Sequence, residues 1–218
     1  MKIAIPLYDG FTALDAIGPY DVLSLIPDAE VVFCAEEARP HRTQNGMLAA
    51  VADVALADLP SPEIIVVPGG YGSRRLAGPD SAIVAWLREA HETTRFTTSV
   101  CTGALLLGAA GILEGLDATT HWAERESLRD YGATPLAERV VEQGKVWTAA
   151  GVSSGIDMAL RLVERMHGPE LAQAIQLGIE YDPQPPHDTG SPEKAPPELT
   201  ALVRSAMEAG NASGREEP

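Results

Sequence analysis

Short apolar segments that alternate with helical patterns constrain the fold of this chain more than any other feature. Strand-like patterns run from Ile3 to Leu7, Glu30 to Cys34, Ile64 to Val67 and Phe96 to Val100. Helical patterns run from Ala16 to Leu25, Ser81 to Ala90 and Ala104 to Leu113. Continuous apolar strands separated by helices are typical of a parallel sheet that is covered on both faces. The sequence therefore predicts a doubly wound, flavodoxin-like α/β fold with a mostly parallel sheet.

Later segments extend this fold. The stretches from Arg139 to Glu142 and from Lys145 to Thr148, joined by Gln143-Gly144, predict a short β-hairpin added to the sheet. Two helical patterns follow, over Gly155 to His167 and Glu170 to Gly178. The sequence has no internal repeats and no linker large enough to divide it, so one domain is expected rather than two.

The character of the chain changes after Tyr181. The run DPQPPHDTGSPEKAPP is rich in proline and cannot continue a helix. We expect residues 1–182 to form the α/β domain and residues 183–218 to form a C-terminal arm. Within the arm, Pro197 to Ala209 predicts one short helix, and the final run GNASGREEP is expected to be disordered.

Composition and charge exclude several classes of function. The 218 residues include 31 Asp and Glu against 16 Lys and Arg, a net charge of −15, which argues against nucleic acids and anionic membrane surfaces as partners. The N-terminal run MKIAIPLYDG lacks the apolar core of a secretory signal, and no stretch approaches the roughly 18 apolar residues of a membrane span. A cytoplasmic protein is expected. Two cysteines without CxxC spacing and five histidines without HxxxH or HxH spacing make a metal centre an unfavoured interpretation.

Cys101 is the strongest candidate for chemistry. It lies in RFTTSVCTGALLLGAAGIL, between a strand pattern and a helix pattern, with the small residues Ser99 and Gly103 two positions on either side. This arrangement predicts a sharp strand-to-helix turn that exposes a nucleophile. The N-terminus of the following helix is expected to favour the thiolate. The alternative is a buried structural cysteine, the role that the apolar run VVFC suggests for Cys34.

Three segments are expected at the carboxyl edge of the sheet, where ligands bind in open α/β folds. They are Asp9 to Pro19, the turn Pro68-Gly69-Gly70-Tyr71-Gly72, and the Cys101 turn. The glycine-rich turn lacks the lysine of a phosphate-binding loop. Either its N–H groups stabilise negative charge together with the N–H of Thr102, or it is only a tight turn that requires glycine.

Two ionisable residues near this edge allow two interpretations each. Asp15 caps the first helix, or it exchanges a proton with the Cys101 thiol. His121 follows a short strand pattern from Ala118 to Thr120 and is either a general base or a structural residue. The adjacent Trp122 either lines an apolar pocket or packs in the core.

The motifs PGGYG, SVCTGALLLGAAGIL, TTHW and TAAGVSSGIDMAL resemble the ThiJ/PfpI superfamily over about residues 1–182. In many members the turn cysteine pairs with a carboxylate from the first strand–helix junction, which corresponds to Asp15. Some members use a histidine twenty residues after the cysteine, which corresponds to His121. The resemblance also implies that the loop at Val152 lies near the thiol, and that the chain forms a homodimer which the arm could embrace.

The runs DGFTALDAIGPYDVL and IEYDPQPPHDTGSP look like those of the isonitrile hydratases within this superfamily, although His187 departs from the expected apolar residue. This resemblance implies hydration of a small-molecule isonitrile to an N-substituted formamide without a metal or organic cofactor. The implied catalytic residues are Cys101, Asp15 and Thr102. Together with the residue patterns above, the candidate oxyanion and substrate contacts are Gly70, Tyr71, His121, Trp122 and Val152.

Two other functions compete with this one. A glyoxalase or deglycase acting on reactive carbonyls would favour glutamate at position 15 and would rely more on His121. A redox- or ligand-sensing domain, like those of AraC-type regulators, would use oxidation of Cys101 or the frame from Gly151 to Asp157. That frame is also explained as the start of a helix with Asp157 in its first turn, and we prefer this structural interpretation.

Overall fold

The computed structural model describes residues 1–213, with side chains for residues 1–210. The strands are β1 (Lys2–Pro6), β2 (Glu30–Ala35), β3 (Pro40–Arg42), β4 (Ala49–Val51), β5 (Val54–Ala55), β6 (Ile64–Val67), β7 (Phe96–Val100), β8 (Asp117–Ala118), β9 (Thr134–Pro135), β10 (Val140–Gln143) and β11 (Val146–Ala149). The α-helices are α1 (Ala13–Leu23), α2 (Tyr71–Leu76), α3 (Ala82–His91), α4 (Gly103–Ala109), α5 (Ser154–His167), α6 (Pro169–Gly178) and α7 (Pro197–Ser213). Two 3-10 helices cover Leu56–Asp58 and Trp122–Tyr131.

The central sheet has seven strands in the order β10-β11-β7-β6-β1-β2-β5. Every neighbouring pair is parallel except β10 with β11. All residues of β6 and β7 are buried, which requires cover on both faces of the sheet. Helix α1 packs with α5 and α5 with α6, while α3 packs with α4. The predicted α/β fold is confirmed.

The predicted hairpin is confirmed, but it is more deeply integrated than the sequence suggested. Strand β11 pairs in parallel with β7 inside the sheet, and β10 forms its antiparallel edge. The turn lies at Gly144-Lys145 rather than Gln143-Gly144, because Gln143 already pairs with Val146. The sequence patterns did not reveal the small β3–β4 and β8–β9 sheets, whose strands have only two or three residues.

The C-terminal arm folds back onto the domain. Helix α7 begins at Pro197 as predicted and continues to Ser213, so the first residues of the run expected to be disordered are helical. The remainder of that run, residues 214–218, lies outside the described residues. The guanidinium of Arg204 stacks 4.9 Å from the ring centroid of Trp122. Among the residues that the structure describes, no helix has the length and apolar character needed to cross a bilayer.

Candidate active site

The candidate site lies where four neighbouring strands end. Strands β1, β6, β7 and β11 are adjacent in the sheet, and the segments that follow them carry Asp15, Gly69, Cys101 and Gly151 respectively. Parallel strands deliver these residues to one edge because their carboxyl ends point the same way. The residue patterns predicted the first three of these segments at this edge, and the family resemblance implied the fourth through Val152 without identifying Gly151.

Cys101 occupies a sharp strand-to-helix turn, as predicted, but the residue is buried and not exposed as that geometry had suggested. Its φ of +55° lies in the left-handed region, which is uncommon for a residue with a Cβ. Two hydrogen bonds hold the turn: the Cys101 N–H donates to the carbonyl of Ala149 at 3.0 Å, and the Thr120 hydroxyl donates to the carbonyl of Cys101 at 2.7 Å. The strand, the helix and Thr120 thus fix the direction of the thiol.

Asp15 is fully buried and is directed at the site instead of capping its helix. The N-cap of α1 is Thr12, so the capping interpretation is wrong. One carboxyl oxygen, Oδ2, accepts the N–H of Gly69 at 2.9 Å, and the carboxyl interacts with the thiol of Cys101. The other oxygen, Oδ1, has no N–H or O–H partner within the described residues. The side chain is therefore held at one oxygen and available at the other.

The thiol and the carboxyl both favour their protonated forms. Burial raises the pKa of Asp15 to about 7, against the opposing effects of the Gly69 N–H and the Cys101 thiol. Burial, and then the charge of Asp15, raise the pKa of Cys101 well above its usual value, although the N–H and hydroxyl of Thr102 lower it. The predicted preference for the thiolate is wrong. A helix terminus stabilises a charge by about 0.3–1 kcal/mol, which is less than about one pKa unit. Burial can shift a pKa by up to about 3–5 units, so it outweighs the helix.

The hydroxyl of Thr102 fastens the glycine turn to the cysteine turn. Its Oγ1 accepts the N–H of Gly70 at 2.9 Å and lies 2.9 Å from the hydroxyl of Ser73. Since the N–H of Gly69 is bonded to Asp15, both glycine N–H groups are already used inside the protein. They do not provide the predicted donors for a negatively charged intermediate. The remaining predicted donor is the N–H of Thr102, which interacts with the Cys101 thiol.

His121 and Trp122 lie beside the site under the C-terminal arm. His121 Nδ1 accepts the N–H of Ala123 at 3.3 Å. Burial, followed by the charges of Arg74 and two further arginines, lowers the pKa of His121 to about 4, so the ring is neutral at pH 7. Trp122 is half-buried between the His121 ring, 5.4 Å away, and the guanidinium of Arg204. It therefore packs against the arm rather than in the core of the sheet.

Tyr71 occupies the other flank of the site. It is the first residue of α2, directly after Gly70, and its side chain is half-buried. Its ring packs against Gly210 of α7, where an added Cβ would lie 2.5 Å from the Tyr71 hydroxyl oxygen. The arm therefore contacts both Tyr71 and Trp122.

Gly151, one residue before the predicted Val152, packs against the thiol. A Cβ added to Gly151 would lie 3.3 Å from Cys101 Sγ and 3.0 Å from its Cβ. The φ of Gly151 is +135°, which other residues rarely adopt. A glycine two residues after the end of the buried strand β11 was the available signal. Val152 follows this contact and is half-buried.

Tyr8 and Thr120 also belong to the site and were missed from the sequence. The buried Tyr8 hydroxyl donates to the carbonyl of Pro68 at 2.6 Å. Burial, then the charges of Asp15 and Cys101, raise the pKa of Tyr8 well above its usual value. Tyr8 follows β1 at the carboxyl edge of the central sheet, which was the signal that could have identified it, whereas Thr120 follows β8 of the separate β8–β9 sheet and had no such signal.

Asp157 has the structural role preferred from the sequence. It lies in the first turn of α5. Its carboxylate pairs with Arg139 and accepts the hydroxyl of Tyr181 at 3.0 Å. These contacts connect α5 to the residue before β10 and to the segment after α6, and they take no part in the thiol–carboxyl pair.

The fold and the site define an α/β protein with a cysteine at a strained strand-to-helix turn beside a buried carboxyl group. The DJ-1/PfpI family matches residues 1–165, and the chain belongs to this family. The structure of a ThiJ/PfpI family protein from Pseudomonas syringae superposes with a TM-score of 0.91 at 32% identity, covering 98% of this chain and 88% of that one.

Curated relatives include both an enzyme and a regulator. The isonitrile hydratase of Pseudomonas putida is 41% identical over 199 residues, covering 90% of this chain and 85% of that protein. The HTH-type transcriptional regulator CdhR of Pseudomonas aeruginosa is 32% identical over 144 residues. That alignment covers 65% of this chain but only 41% of the regulator.

Proposed function

We propose that this protein is an isonitrile hydratase, which adds water to R–N≡C to give the formamide R–NH–CHO. The observation that carries the proposal is the buried pair of Cys101 and Asp15, which brings a nucleophile and a proton-holding group together. An isocyanide carbon has a lone pair and becomes electrophilic when it is protonated. Its hydration therefore needs a proton and a nucleophile at the same carbon.

In the first step, the pair supplies both. The Cys101 thiol passes its proton through Asp15 to the isocyanide carbon, and the sulfur forms a C–S bond to that carbon. The product is the thioimidate R–N=CH–S–Cys101, with Asp15 left as carboxylate. The raised pKa of Asp15, about 7, suits a group that must accept and return a proton near neutral pH.

In the second step, Asp15 takes a proton from water as the water oxygen bonds to the thioimidate carbon. Asp15 returns this proton to nitrogen, which gives R–NH–CH(OH)–S–Cys101. The C–S bond then breaks, the hydroxyl proton returns through Asp15 to sulfur, and R–NH–CHO leaves. One water is consumed, and the thiol and the carboxylate are regenerated. Thr102 acts as a positioning residue, because its hydroxyl holds Gly70.

The carbonyl alternative has less support from the site. Position 15 carries aspartate where a glyoxalase or deglycase would favour glutamate. His121 is a weak base at neutral pH because its pKa is lowered to about 4, and its Nδ1 already accepts a backbone N–H. The chemistry of the buried pair accounts for isocyanide hydration without help from this histidine.

The test is formation of N-cyclohexylformamide from cyclohexyl isocyanide by the wild type and by Cys101→Ala, with methylglyoxal as a parallel substrate. We expect wild-type turnover of the isocyanide, with loss of at least about 1,000-fold in Cys101→Ala. Turnover of methylglyoxal alone would reject the proposal. Substantial hydration by Cys101→Ala would reject covalent catalysis and favour activation of water by Asp15.

Two further features of the protein belong to this proposal. A homodimer is expected from the family resemblance, and sedimentation velocity will distinguish it from a monomer. Action in the cytoplasm is supported by the two cysteines, Cys34 and Cys101, which are both free thiols, as reducing compartments favour. Fractionation of cells that produce the protein tests this assignment.

A further inference from the structure

Tyr8 has a buried hydroxyl that takes no part in the steps of the proposed reaction. The residue follows β1 and is 5% exposed. Its hydroxyl donates to the carbonyl of Pro68, 60 residues away in the chain, at 2.6 Å. This length is at the short end of the range for a bond from a hydroxyl to an oxygen. A Cβ added at Gly72 would lie 2.9 Å from Cδ2 of the ring, so the backbone of Gly72 packs directly on the ring and limits its movement.

The hydroxyl is connected to Asp15 through one peptide unit. The carbonyl of Pro68 and the N–H of Gly69 belong to the same planar, trans peptide, so they point to opposite sides of it. Tyr8 binds the carbonyl, and the N–H donates to Asp15 Oδ2 at 2.9 Å. Tyr8 and Asp15 thus bind the two edges of one rigid plane.

This connection strengthens the hydrogen bond that Asp15 accepts. A donor on the carbonyl oxygen polarises the peptide and makes its N–H a better donor, and such chains strengthen each bond by about 10–30%. The Gly69 N–H lowers the pKa of Asp15 against the larger effect of burial. Tyr8 therefore favours the carboxylate of Asp15 through the peptide.

Tyr8 remains a donor at neutral pH. Burial, and then the charges of Asp15 and Cys101, raise the pKa of Tyr8 well above its usual value, and a hydrogen bond with Ser73 opposes this only in part. The hydroxyl therefore does not exchange its proton with the thiol or the carboxyl. It supplies a fixed dipole that is directed at Pro68.

We propose that Tyr8 is a positioning residue for Asp15: by fixing the Pro68–Gly69 peptide, it keeps the Gly69 N–H on Oδ2 and leaves Oδ1 available to hold a proton. The surroundings of Oδ1 support this, because the atom is buried and has no hydrogen-bond partner within the described residues. The inference deepens the proposed function, on which its kinetic test rests. A test by NMR needs no substrate and is independent of that function.

The NMR test uses a sequence feature of the glycine turn. Pro68-Gly69 is the only Pro-Gly pair in the 218 residues. Protein labelled with ¹³C at the proline carbonyl and ¹⁵N in glycine therefore gives a single peak in an HNCO spectrum. The amide proton of Gly69 should shift as Asp15 titrates, because this N–H is bonded to Oδ2. The ionisable groups that interact with Asp15 are Cys101 and Tyr8, and both have raised pKa values, so the step near pH 7 is loss of the Asp15 proton.

Tyr8→Phe removes the hydroxyl and keeps the ring. We expect the midpoint of the Gly69 shift to lie at about pH 7 in the wild type and about 0.5–1 pH unit higher in Tyr8→Phe, because the carboxylate loses part of a hydrogen bond. Tyr20→Phe is the matched control. Tyr20 is on the same helix as Asp15, is half-buried, and its hydroxyl has no hydrogen-bond partner in the part of the chain that the structure describes. Equal midpoints in Tyr8→Phe and the wild type, or equal movement in both variants, would overturn the inference.

The pH profile of kcat/KM for cyclohexyl isocyanide tests the consequence for catalysis. We expect Tyr8→Phe to lose about two- to fivefold at about pH 7, where less carboxylate is present, and to match the wild type at about pH 9. A loss of the same size at every pH would show a merely structural role and would overturn the inference. Absence of turnover by the wild type would reject the proposed function and leave the NMR midpoint as the test of Tyr8.

A measurement on the wild-type sequence covers the case in which Tyr8→Phe does not fold. Tyrosine fluorinated beside its hydroxyl is a stronger acid and a stronger hydrogen-bond donor. Its incorporation at the five tyrosines should therefore lower the midpoint of the Gly69 shift, in the direction opposite to that expected for Tyr8→Phe. An unchanged or raised midpoint would overturn the inference.

Discussion

At the scale of single residues, the chemistry depends on where one proton is held. The Cys101 thiol and the Asp15 carboxyl are coupled, so their titration belongs to the pair. When the pair holds one proton, that proton lies on either the Cys101 thiol or the Asp15 carboxyl. Its transfer to Asp15 leaves a thiolate beside a protonated carboxyl, which is a nucleophile next to a proton donor. Above the pKa of Asp15, about 7, the resting pair is thiol and carboxylate; below it, both groups are protonated.

The pH dependence of catalysis follows from this sign. We expect kcat/KM for an isocyanide to increase as pH rises through about 7. Asp15 loses its proton in this range, and only the carboxylate can accept the proton of the Cys101 thiol. A stopped assay of formamide formation, corrected for hydration in buffer without protein, measures the profile. A decrease across the same range would show that the doubly protonated pair is the active form.

Burial of Asp15 also has a cost in stability. Its native pKa is raised, so the stabilisation from its bound proton is present below its unfolded pKa and is lost as pH rises through about 7. Asp15→Asn keeps an acceptor for the Gly69 N–H but cannot ionise. Its free energy of unfolding relative to wild type should increase by roughly 2–3 kcal/mol between about pH 5 and pH 8. Urea unfolding at both pH values measures this, and an equal difference at both would contradict the assignment.

Sequence patterns revealed the residues whose roles follow from their position along the chain. The position of Cys101 could be predicted because a strand pattern, small residues and a helix pattern surround it, and that of Asp15 because it follows the first strand. The direction of the thiol pKa could not be predicted, because it depends on burial by residues distant in sequence. The same holds for the contact of Gly151 with the thiol, which exists only after β11 pairs with β7.

At the scale of elements, the site depends on how closely the turns after β6 and β7 approach each other. A Cβ added at Gly69 would lie 2.5 Å from the N atom of Thr102 and 2.9 Å from Cys101 Cβ. Real Cβ atoms do not approach backbone this closely, so a larger residue at position 69 would displace one of the two turns. The N–H of Gly69, which holds Asp15, would move with it.

Gly69→Ala tests this close approach. We expect kcat/KM for cyclohexyl isocyanide to fall by about 10- to 100-fold, since small displacements of reacting groups have effects of this size. Gly78→Ala is the control, because a Cβ at Gly78 meets no atom within 4 Å. Wild-type activity in Gly69→Ala would show that the two turns tolerate separation, and similar losses in both variants would indicate a general effect of alanine.

At the scale of the whole molecule, the sheet could be predicted and the position of the arm could not. Apolar strands such as Ile64–Val67 and Phe96–Val100 have the same limits in the sequence pattern and in the structure. Helix α7 was expected at Pro197, but its docking depends on contacts such as Arg204 with Trp122, which no local pattern encodes. The docked arm thereby contacts Tyr71 and Trp122, which lie on the two flanks of the site.

The central claim is that Cys101 carries the reaction through a covalent bond to the isocyanide carbon. Intact-protein mass spectrometry on acid-quenched samples taken during turnover of cyclohexyl isocyanide tests it most directly. The account predicts a transient increase equal to the mass of one isocyanide, located on the peptide that contains Cys101 and absent from Cys101→Ala. Formamide production without such an adduct, at a rate that Cys101→Ala retains, would contradict it.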